Sequence, residues 1–416
     1  MTSWKTYRLG ELVKVKGGKR LPKGISLQIA PNTHPYIRIR DMGKSRVLEL
    51  DATYEYVDNV TQKSIARYVV DEGDILLSIV GTIGLVGIVG KSLHQANQTE
   101  NCVKLVNLNG IDPLFLYYFL LSPKGQEEIK RGTVGAVQAK LPIKNIENIE
   151  ISLPPLEEQR RIAGILGAID DKIENNRRIN TNLELQAQAL YKQWFVDFEF
   201  PNEEGKPYKS SGGKMVDSEL GPIPEGWRVI GYCDVVDIKG GGTPPTNKPE
   251  FWNGSIPFFT PKDVSSECFV LKTEKSITES GLSNCNSKLY AKDTVFITAR
   301  GTVGKVTMAG RSMAMNQTNY ALIGKNGLSQ YFVYLLTIAL VDKLLKKANG
   351  AVFNAITTRD FEGEQIVHPT NSVLDKFIDT ISALYQQVLS IAKENETLAT
   401  LRDTLLPKLM NGEIKL

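Results

Sequence analysis

The sequence contains little cysteine and little histidine. Four Cys and three His occur among 416 residues, and no two Cys have the CxxC spacing of a zinc or redox motif. This scarcity excludes a disulfide framework and a Cys/His zinc site of ordinary spacing. Unpaired thiols are typical of a reducing cytosol, so we expect a cytoplasmic location and assign no metal ligand.

Long apolar runs and common catalytic motifs are also lacking. The most apolar stretch, residues 75–90, is shorter than the roughly 20 residues that span a membrane. We interpret it as two core strands joined by a Gly-rich turn, and we expect no membrane partner. Its end resembles a phosphate-binding loop, but Leu85 stands where that motif requires Gly. No HExxH or GxSxG occurs, so we assign no catalytic residue and no cofactor to this chain.

Most of the chain is one unit that occurs twice. GTIG at 81–84 recurs as GTVG at 301–304, NQT at 97–99 recurs at 316–318, and GAV at 135–137 recurs at 350–352. Each copy begins with a tryptophan, Trp4 or Trp227. Because the matches keep their order, we predict two duplicated domains at 1–153 and 227–369. The Pro-, Gly- and Ser-rich segment 201–226 is predicted to be an exposed linker.

Within the copies, the local patterns predict mixed α+β domains. Alternating apolar residues predict a half-buried strand at 36–40. Short β-rich runs predict strands at 74–79 and 294–298, and apolar segments at 115–121 and 331–345 predict helices.

A long helix is expected after each domain, within 154–200 and 370–416. In both segments apolar residues recur at alternating spacings of four and three, which is the heptad pattern of a coiled coil. Pro407 is expected to end the second regular helix. A buried Asn lowers stability, so we interpret Asn176, Asn180 and Asn395 on the seams as residues that fix the register.

The two seams match best as an antiparallel pair within one chain. Asn176 then meets Asn395, whereas Ile169 meets Arg402, which is a mismatch. Two alternatives are helices that pack only on their own domains and coils that dimerise between chains.

Basic residues cluster locally although the net charge is only +4. The first 40 residues hold nine Lys or Arg and one acid, interleaved with Gly that lets a backbone approach phosphate. Arg, Lys, Gln and Asn side chains also suit base edges. A solvated charged face and turn-capping amides are the alternatives. The predicted DNA contacts are Lys16, Lys19, Arg20, Lys23, Arg38, Arg40, Asp41, Gln98 and Gln138 in the first copy, and Lys239, Thr243, Thr260, Lys262, Asp263, Arg300, Gln317 and Asn354 in the second.

Over essentially its whole length the sequence resembles the specificity subunits of type I restriction–modification systems. The resemblance rests on Trp4 with RLG at 8–10, GDIL at 73–76, GTIG at 81–84, LPPLEEQRRI at 153–162, WFVDF at 194–198, SGGKM at 211–215 and LLPKLMNGEI at 405–414. The second copy has HPTN at 368–371 and lacks the EEQR that begins the first helix. The start of its helix is therefore less well defined.

The resemblance implies an α+β fold with two duplicated α/β target-recognition domains, separated by two long helices that form an intramolecular antiparallel coiled coil. Each domain would read half of a bipartite double-stranded DNA site. The helices would set the spacing and dock two modification subunits, which methylate adenine with S-adenosylmethionine. Restriction subunits would add cleavage that uses ATP and Mg²⁺. A coiled-coil scaffold with protein-binding end domains, and an enzyme with an unrecognised site, are the alternatives.

Overall fold

The computed structural model describes residues 4–43, 45–347 and 355–416. They form two compact units: unit 1 comprises Met1–Glu174 and Glu396–Leu416, and unit 2 comprises Asn175–Asn395. Each long helix therefore contributes one part to each unit.

Unit 1 is a mixed α+β domain. Its strands are β1 (Lys5–Arg8), β2 (Lys14–Gly17), β3 (Pro35–Ile37), β4 (Val47–Leu48), β5 (Glu55–Tyr56), β6 (Ile75–Ser78), β7 (Val86–Val89), β8 (Asn97–Gln98), β9 (Cys102–Val106) and β10 (Glu150–Leu153). Its helices are α1 (Leu9–Leu12), α2 (Asn59–Ile65), α3 (Pro113–Leu121), α4 (Pro123–Gly132), α5 (Ile143–Glu147) and the first part of α6 (Leu156–Tyr191).

Helix α3 illustrates how the sequence determines a local structure. Asp112 caps it by accepting hydrogen bonds from Leu114 N and Phe115 N, both 3.0 Å long, and Pro113 occupies the first helical position. Ser122 then caps α4 in the same way, accepting from Gly125 N. The buried aromatic face of α3 packs against the five-stranded sheet in the order β2-β9-β6-β7-β4. A smaller sheet has the order β5-β3-β8.

Unit 2 repeats this architecture. Its strands are β11 (Met215–Val216), β12 (Ile223–Pro224), β13 (Arg228–Gly231), β14 (Val236–Gly240), β15 (Trp252–Phe259), β16 (Phe269–Val270), β17 (Lys275–Ile277), β18 (Val295–Thr298), β19 (Val306–Ala309), β20 (Ala314–Met315), β21 (Asn319–Gly324) and β22 (Gln365–His368). Its helices are α7 (Tyr232–Val235), α8 (Glu279–Ser283), α9 (Gln330–Lys347), α10 (Thr358–Glu362), the first part of α11 (Asn371–Met410) and the second part of α6.

The strand orders confirm the internal duplication. The larger sheet of unit 2 has the order β14-β21-β18-β19-β16, and the smaller has the order β17-β15-β20, which reproduce the two sheets of unit 1 strand for strand. The antiparallel pair β1-β10 likewise recurs as β13-β22. The predicted strands at 74–79 and 294–298 and the two predicted apolar helices are present as β6, β18, α3 and α9.

One part of the repeat alignment is wrong. The residue that follows β6 donates its backbone N–H to Asn101 O (2.8 Å), and the residue that follows β18 donates to Thr318 O (2.9 Å). Asn101 and Thr318 are therefore equivalent, and the two NQT motifs are out of register by two residues. Gln98 corresponds to the buried Met315 rather than to Gln317, because the pairing of β8 and β20 with their neighbours sets the equivalence.

Two local predictions are also wrong. The strand predicted at 36–40 ends at Ile37, because Asp41 accepts a hydrogen bond from Arg38 N (2.7 Å) and closes a 3₁₀ turn over Ile39–Asp41. Pro407 does not end the second long helix, which continues to Met410. Proline removes one backbone donor, but Leu409 and Met410 beyond it are buried in the core of unit 1 and hold the last turn in place.

The segment 201–226 is largely exposed, but it has local structure. Phe200 stacks on Tyr208 with ring centroids 4.5 Å apart, and Lys214 Nζ lies 2.6 Å from Glu225 Oε1. Strands β11 and β12, which lie in the sequence between Lys214 and Glu225, pair antiparallel.

Within each unit the parts of α6 and α11 pack antiparallel, as the seams predict. In unit 2 the rings of Trp194 and Phe377 lie 5.3 Å apart, and Asn176 Nδ2 donates to Asn395 Oδ1 (2.9 Å). Asn180 is buried as well, and its Nδ2 donates to a backbone oxygen, Val388 O (3.2 Å). These contacts confirm the intramolecular antiparallel pairing.

In unit 1 the predicted mismatch at Arg402 is resolved by an ion pair. Arg402 Nη1 lies 2.9 Å from Asp170 Oδ1, and the other carboxylate oxygen of Asp170 accepts a hydrogen bond from Tyr118 OH (2.6 Å). The guanidinium thus pairs with a largely buried carboxylate, where a paired charge is tolerated.

Candidate nucleic-acid interface

A cleft of about 500 Å³ opens in unit 1 where β3 and β8 end. The two strands are parallel, so their carboxyl ends meet at the same edge of the small sheet. Arg38 and Arg40 follow β3, residues 99–101 follow β8, and Arg20 completes the wall. The structure therefore brings together three of the predicted cationic side chains.

The basic segment reaches this edge because Gly18 allows a close backbone approach. A Cβ at Gly18 would lie 2.0 Å from Thr99 O, so any other residue would push the segment away. Tyr36 OH donates a hydrogen bond to Lys19 O (2.8 Å) and holds the segment from the other side. Burial raises the pKa of Tyr36 to about 12, so its hydroxyl remains a donor at neutral pH.

Acidic side chains hold the three arginines in place. Arg38 Nη1 lies 2.5 Å from one Glu55 oxygen and Arg40 Nη2 lies 3.4 Å from the other, while Arg20 Nε lies 3.0 Å from Glu100 Oε1. Arg38 Nε and Nη2 have no hydrogen-bond acceptor among the described residues. Both nitrogens are buried, so Arg38 can offer them to a phosphate or a guanine edge only after its side chain moves.

Two predicted base readers do not have that role in this conformation. Gln98 is 1% exposed, and its partner in the β-ladder, Ile37, is fully buried, so the amide cannot reach a base edge. Asp41 is also buried, because its carboxylate caps the 3₁₀ turn through Arg38 N. Asp41 therefore positions Arg38 and Arg40 rather than contacting a ligand.

The lysines of the basic segment are exposed but do not form a single glycine loop. Lys16 lies on β2, opposite Lys104, whereas Lys19 and Lys23 follow the strand. Lys19 Nζ lies 5.7 Å from the centre of the Tyr68 ring, within cation–π range. All three side chains are exposed, as both a phosphate contact and a solvated face require.

Unit 2 has an equivalent arrangement with different side chains. With the corrected register, Arg20 and Glu100 correspond to Thr243 and Gln317, and Thr243 Oγ1 donates a hydrogen bond to Gln317 Oε1. An ion pair in unit 1 is thus replaced by a neutral hydrogen bond at the same place in unit 2.

The turn after β15 also repeats the turn after β3. Thr260 N and Thr260 Oγ1 both donate to Asp263 Oδ2 at 2.7 Å, and Asp263 Oδ1 accepts from Glu274 N (2.6 Å). Asp263 caps its turn as Asp41 does, but it is only half-buried, so its contact with a base stays a prediction. Lys262 is exposed, with Nζ 3.9 Å from Glu274 Oε2.

The remaining predicted contacts are distributed around the two units. Lys239 lies on β14 with its Nζ 3.5 Å from Asp237 Oδ2, so it is not in the Gly loop. Arg300 is exposed beside the turn at 301–304. Gln138 is exposed on the loop that precedes α5. Asn354, like GAV at 350–352, lies outside the described residues.

The residues that sequence reasoning missed are the acidic partners, Glu55 and Glu100. Glu55 gives no local signal, since its role depends on the pairing of β5 with β3. The identical NQT letters concealed the equivalence of Glu100 with Gln317.

The described ranges contain neither a metal site nor a membrane-spanning helix. No group of three or more His, Cys, Asp or Glu side chains there could hold a metal ion. No helix there combines the length and apolar character that crossing a membrane would require.

Comparison with known proteins identifies the family. The type I restriction modification DNA specificity domain matches residues 1–185 and 224–399, which together are most of the chain. This chain therefore belongs to that family.

Individual relatives match this chain over nearly their full length. The chain is 27% identical to the type I restriction enzyme MjaIX specificity subunit of Methanocaldococcus jannaschii, covering 99% of this chain and 94% of the relative. It is 25% identical to the HindI specificity subunit of Haemophilus influenzae, with 100% of both covered. The crystal structure of the type I restriction–modification S subunit from M. genitalium shares the fold, with TM-score 0.52 and 16% identity over 98% of this chain and 96% of that one.

Proposed function

We propose that this chain is the DNA-binding specificity subunit of a type I restriction–modification complex, and that each unit reads one half of a bipartite double-stranded DNA site. The recognition domains are residues 1–153 and 227–369, and the spacer helices lie within 154–200 and 370–416. The observation that carries the proposal is the duplicated cleft edge, with Arg20 and Glu100 in one unit and Thr243 and Gln317 in the other.

Different side chains on a repeated scaffold favour two different half-sites. Arginines at the unit 1 cleft suit guanine edges and phosphates, whereas a Thr–Gln pair offers neutral donors and acceptors. The carboxylates that restrain Arg20, Arg38 and Arg40 reduce the entropy that these side chains would lose on binding.

The paired helices provide the remaining part of the function. We propose that they set the distance between the half-sites and dock two modification subunits, one for each copy of the repeat. Adenine methylation with S-adenosylmethionine, and cleavage with ATP and Mg²⁺, would belong to the modification and restriction subunits. This chain would then act in the cytoplasm without catalytic residues of its own.

The experiment exchanges the equivalent pairs. The double variant Arg20→Thr/Glu100→Gln places the unit 2 pair in unit 1, and the matched variant Thr243→Arg/Gln317→Glu does the reverse. Each is produced with the modification subunits, and the methylated motif is read by sequencing genomic DNA. We expect each variant to alter base preference in one half-site only, and in opposite halves.

The proposal fails if both variants alter the same half-site, or if the wild-type complex methylates a motif without two separate halves. Normal folding of both variants is checked by their binding to the modification subunits.

A further inference from the structure

A short closed loop follows α4 in unit 1. Val134 and Lys140 exchange two backbone hydrogen bonds, each 2.9 Å long, and enclose residues 135–139. Gly135 has φ +95°, and a Cβ there would lie 2.6 Å from Gln138 O. Both the left-handed backbone and the tight contact require glycine, so the loop conformation is determined by its own sequence.

Val137 at the tip of this loop is 98% exposed. Its side chain therefore contributes nothing to the core of unit 1. The repeat retains the same three residues, GAV, at 350–352 of the second copy. Retention in a divergent repeat of a valine that is exposed in the first copy favours contact with a ligand.

Backbone pairing places the loop next to the cleft. Leu141 N donates to Ile79 O (2.9 Å), and Ile79 N donates to Asn101 O (2.8 Å). Two strand spacings, about 10 Å, therefore separate the base of the loop from the cleft wall at Asn101. A Cβ at Gly17 would lie 3.8 Å from Ile143 Cδ1, so the basic segment adjoins the same region.

The charge around the loop favours DNA over a protein partner as the ligand. From 133 to 146 the sequence contains Lys140 and Lys144 and no acidic residue. Lys140 and Lys144 are thus the only charged residues in this segment, as expected beside phosphates.

We propose that Val137 contacts the C5-methyl group of a thymine in the half-site that unit 1 reads. Small apolar side chains recognise that methyl in the major groove, whereas the wedges that kink DNA from the minor groove are larger. The inference rests on the proposed function and adds a specificity-determining residue to it. Gln138, beside Val137, would lie in the same groove.

The test combines a change in the protein with a change in the DNA. Each thymine of the half-site is replaced singly by uracil, which lacks only the C5-methyl group, and the affinity of the complex with its modification subunits is measured. The affinity of the wild-type complex should fall roughly fourfold when uracil replaces thymine at one position, which corresponds to about 0.8 kcal/mol for one methyl group. Val137→Ala should bind the unmodified site more weakly, and uracil at that position should weaken it no further.

Val60→Ala is the matched control. Val60 is also exposed in unit 1, but α2 follows the opposite end of the small sheet from the cleft. This variant should show the wild-type loss with uracil. The proposal is overturned if no uracil substitution weakens binding by the wild-type complex. It is also overturned if uracil lowers the affinity of the Val137→Ala and wild-type complexes equally at every position. Failure of the wild-type complex to prefer a bipartite site would instead overturn the proposed function.

Discussion

The buried Asn176–Asn395 contact in unit 2 predicts an asymmetric response to mutation. Asn176 Nδ2 donates both to Asn395 Oδ1 (2.9 Å) and to the exposed Glu394 carboxylate (2.8 Å). Asn395 Nδ2 has no acceptor among the described residues. Asn176→Leu therefore deprives Asn395 of its one assigned partner, whereas Asn395→Leu leaves Asn176 bonded to Glu394.

The difference should be measurable as a free energy of unfolding. An unsatisfied buried polar atom costs about 1–3 kcal/mol, and we expect Asn176→Leu to be destabilising by that amount relative to Asn395→Leu. The double variant removes both amides and places two leucines on an apolar seam. It should be as stable as wild type or more stable, since no buried amide remains unpaired.

Tryptophan fluorescence during urea unfolding is a suitable assay, because Trp194, Trp227 and Trp252 lie in unit 2 and only Trp4 lies in unit 1. The double-mutant cycle should give a coupling energy on the order of 1 kcal/mol. Equal destabilisation by the two single variants, or strict additivity in the double variant, would refute the reasoning.

The long-range regularities of this fold could be predicted from the sequence. The heptad spacing and the positions of Asn176 and Asn395 define the helix pairing, because a seam and its polar interruptions must face each other. The repeat likewise predicts two similar domains. Such patterns can be recognised without knowledge of the tertiary fold, since the periodicity itself indicates which face is buried.

The details of the cleft could not be predicted, because they depend on strand pairing. Alternation at 36–40 suggested a continuing strand, whereas the Asp41 side chain closes a turn at Arg38. The Arg-x-x-Asp and Thr-x-x-Asp spacings, at 38–41 and 260–263, are the signal that would have indicated this cap. No comparable signal places Glu55 beside two arginines.

Three further predictions concern DNA binding, spacing and thiol reactivity. Replacing Lys16, Lys19 and Lys23 with Ala should weaken binding to all DNA sequences and reduce the slope of log affinity against log salt by roughly 0.9 per lost phosphate contact. Replacing Arg20 should have a smaller effect, because Glu100 already pairs with it. An unchanged slope in a salt titration would show that the lysines form a solvated face. The second prediction inserts one heptad between Asn176 and Leu183 and another between Ile391 and Leu398. The unspecified DNA spacer should lengthen by about three base pairs, because seven helical residues rise about 10 Å and a base pair rises about 3.4 Å. Altered half-sites in the methylated motif would contradict this. Burial raises the pKa of Cys102 to about 12 and that of Cys268 well above its usual range. A thiol reagent should therefore label only the half-buried Cys233 and Cys285 before urea is added. Labelling of Cys102 or Cys268 before urea, detected by peptide mapping, would disprove this prediction.

The central claim is that the cleft of unit 1 and the equivalent sheet edge of unit 2 read two separate half-sites. Its most direct test is sequencing of methylated adenines in the DNA of cells that produce this chain with its modification subunits. The account predicts one motif with two specified halves around an unspecified spacer of constant length, and Arg38→Ala should relax only one half. A contiguous motif, or relaxation of both halves by Arg38→Ala, would contradict it.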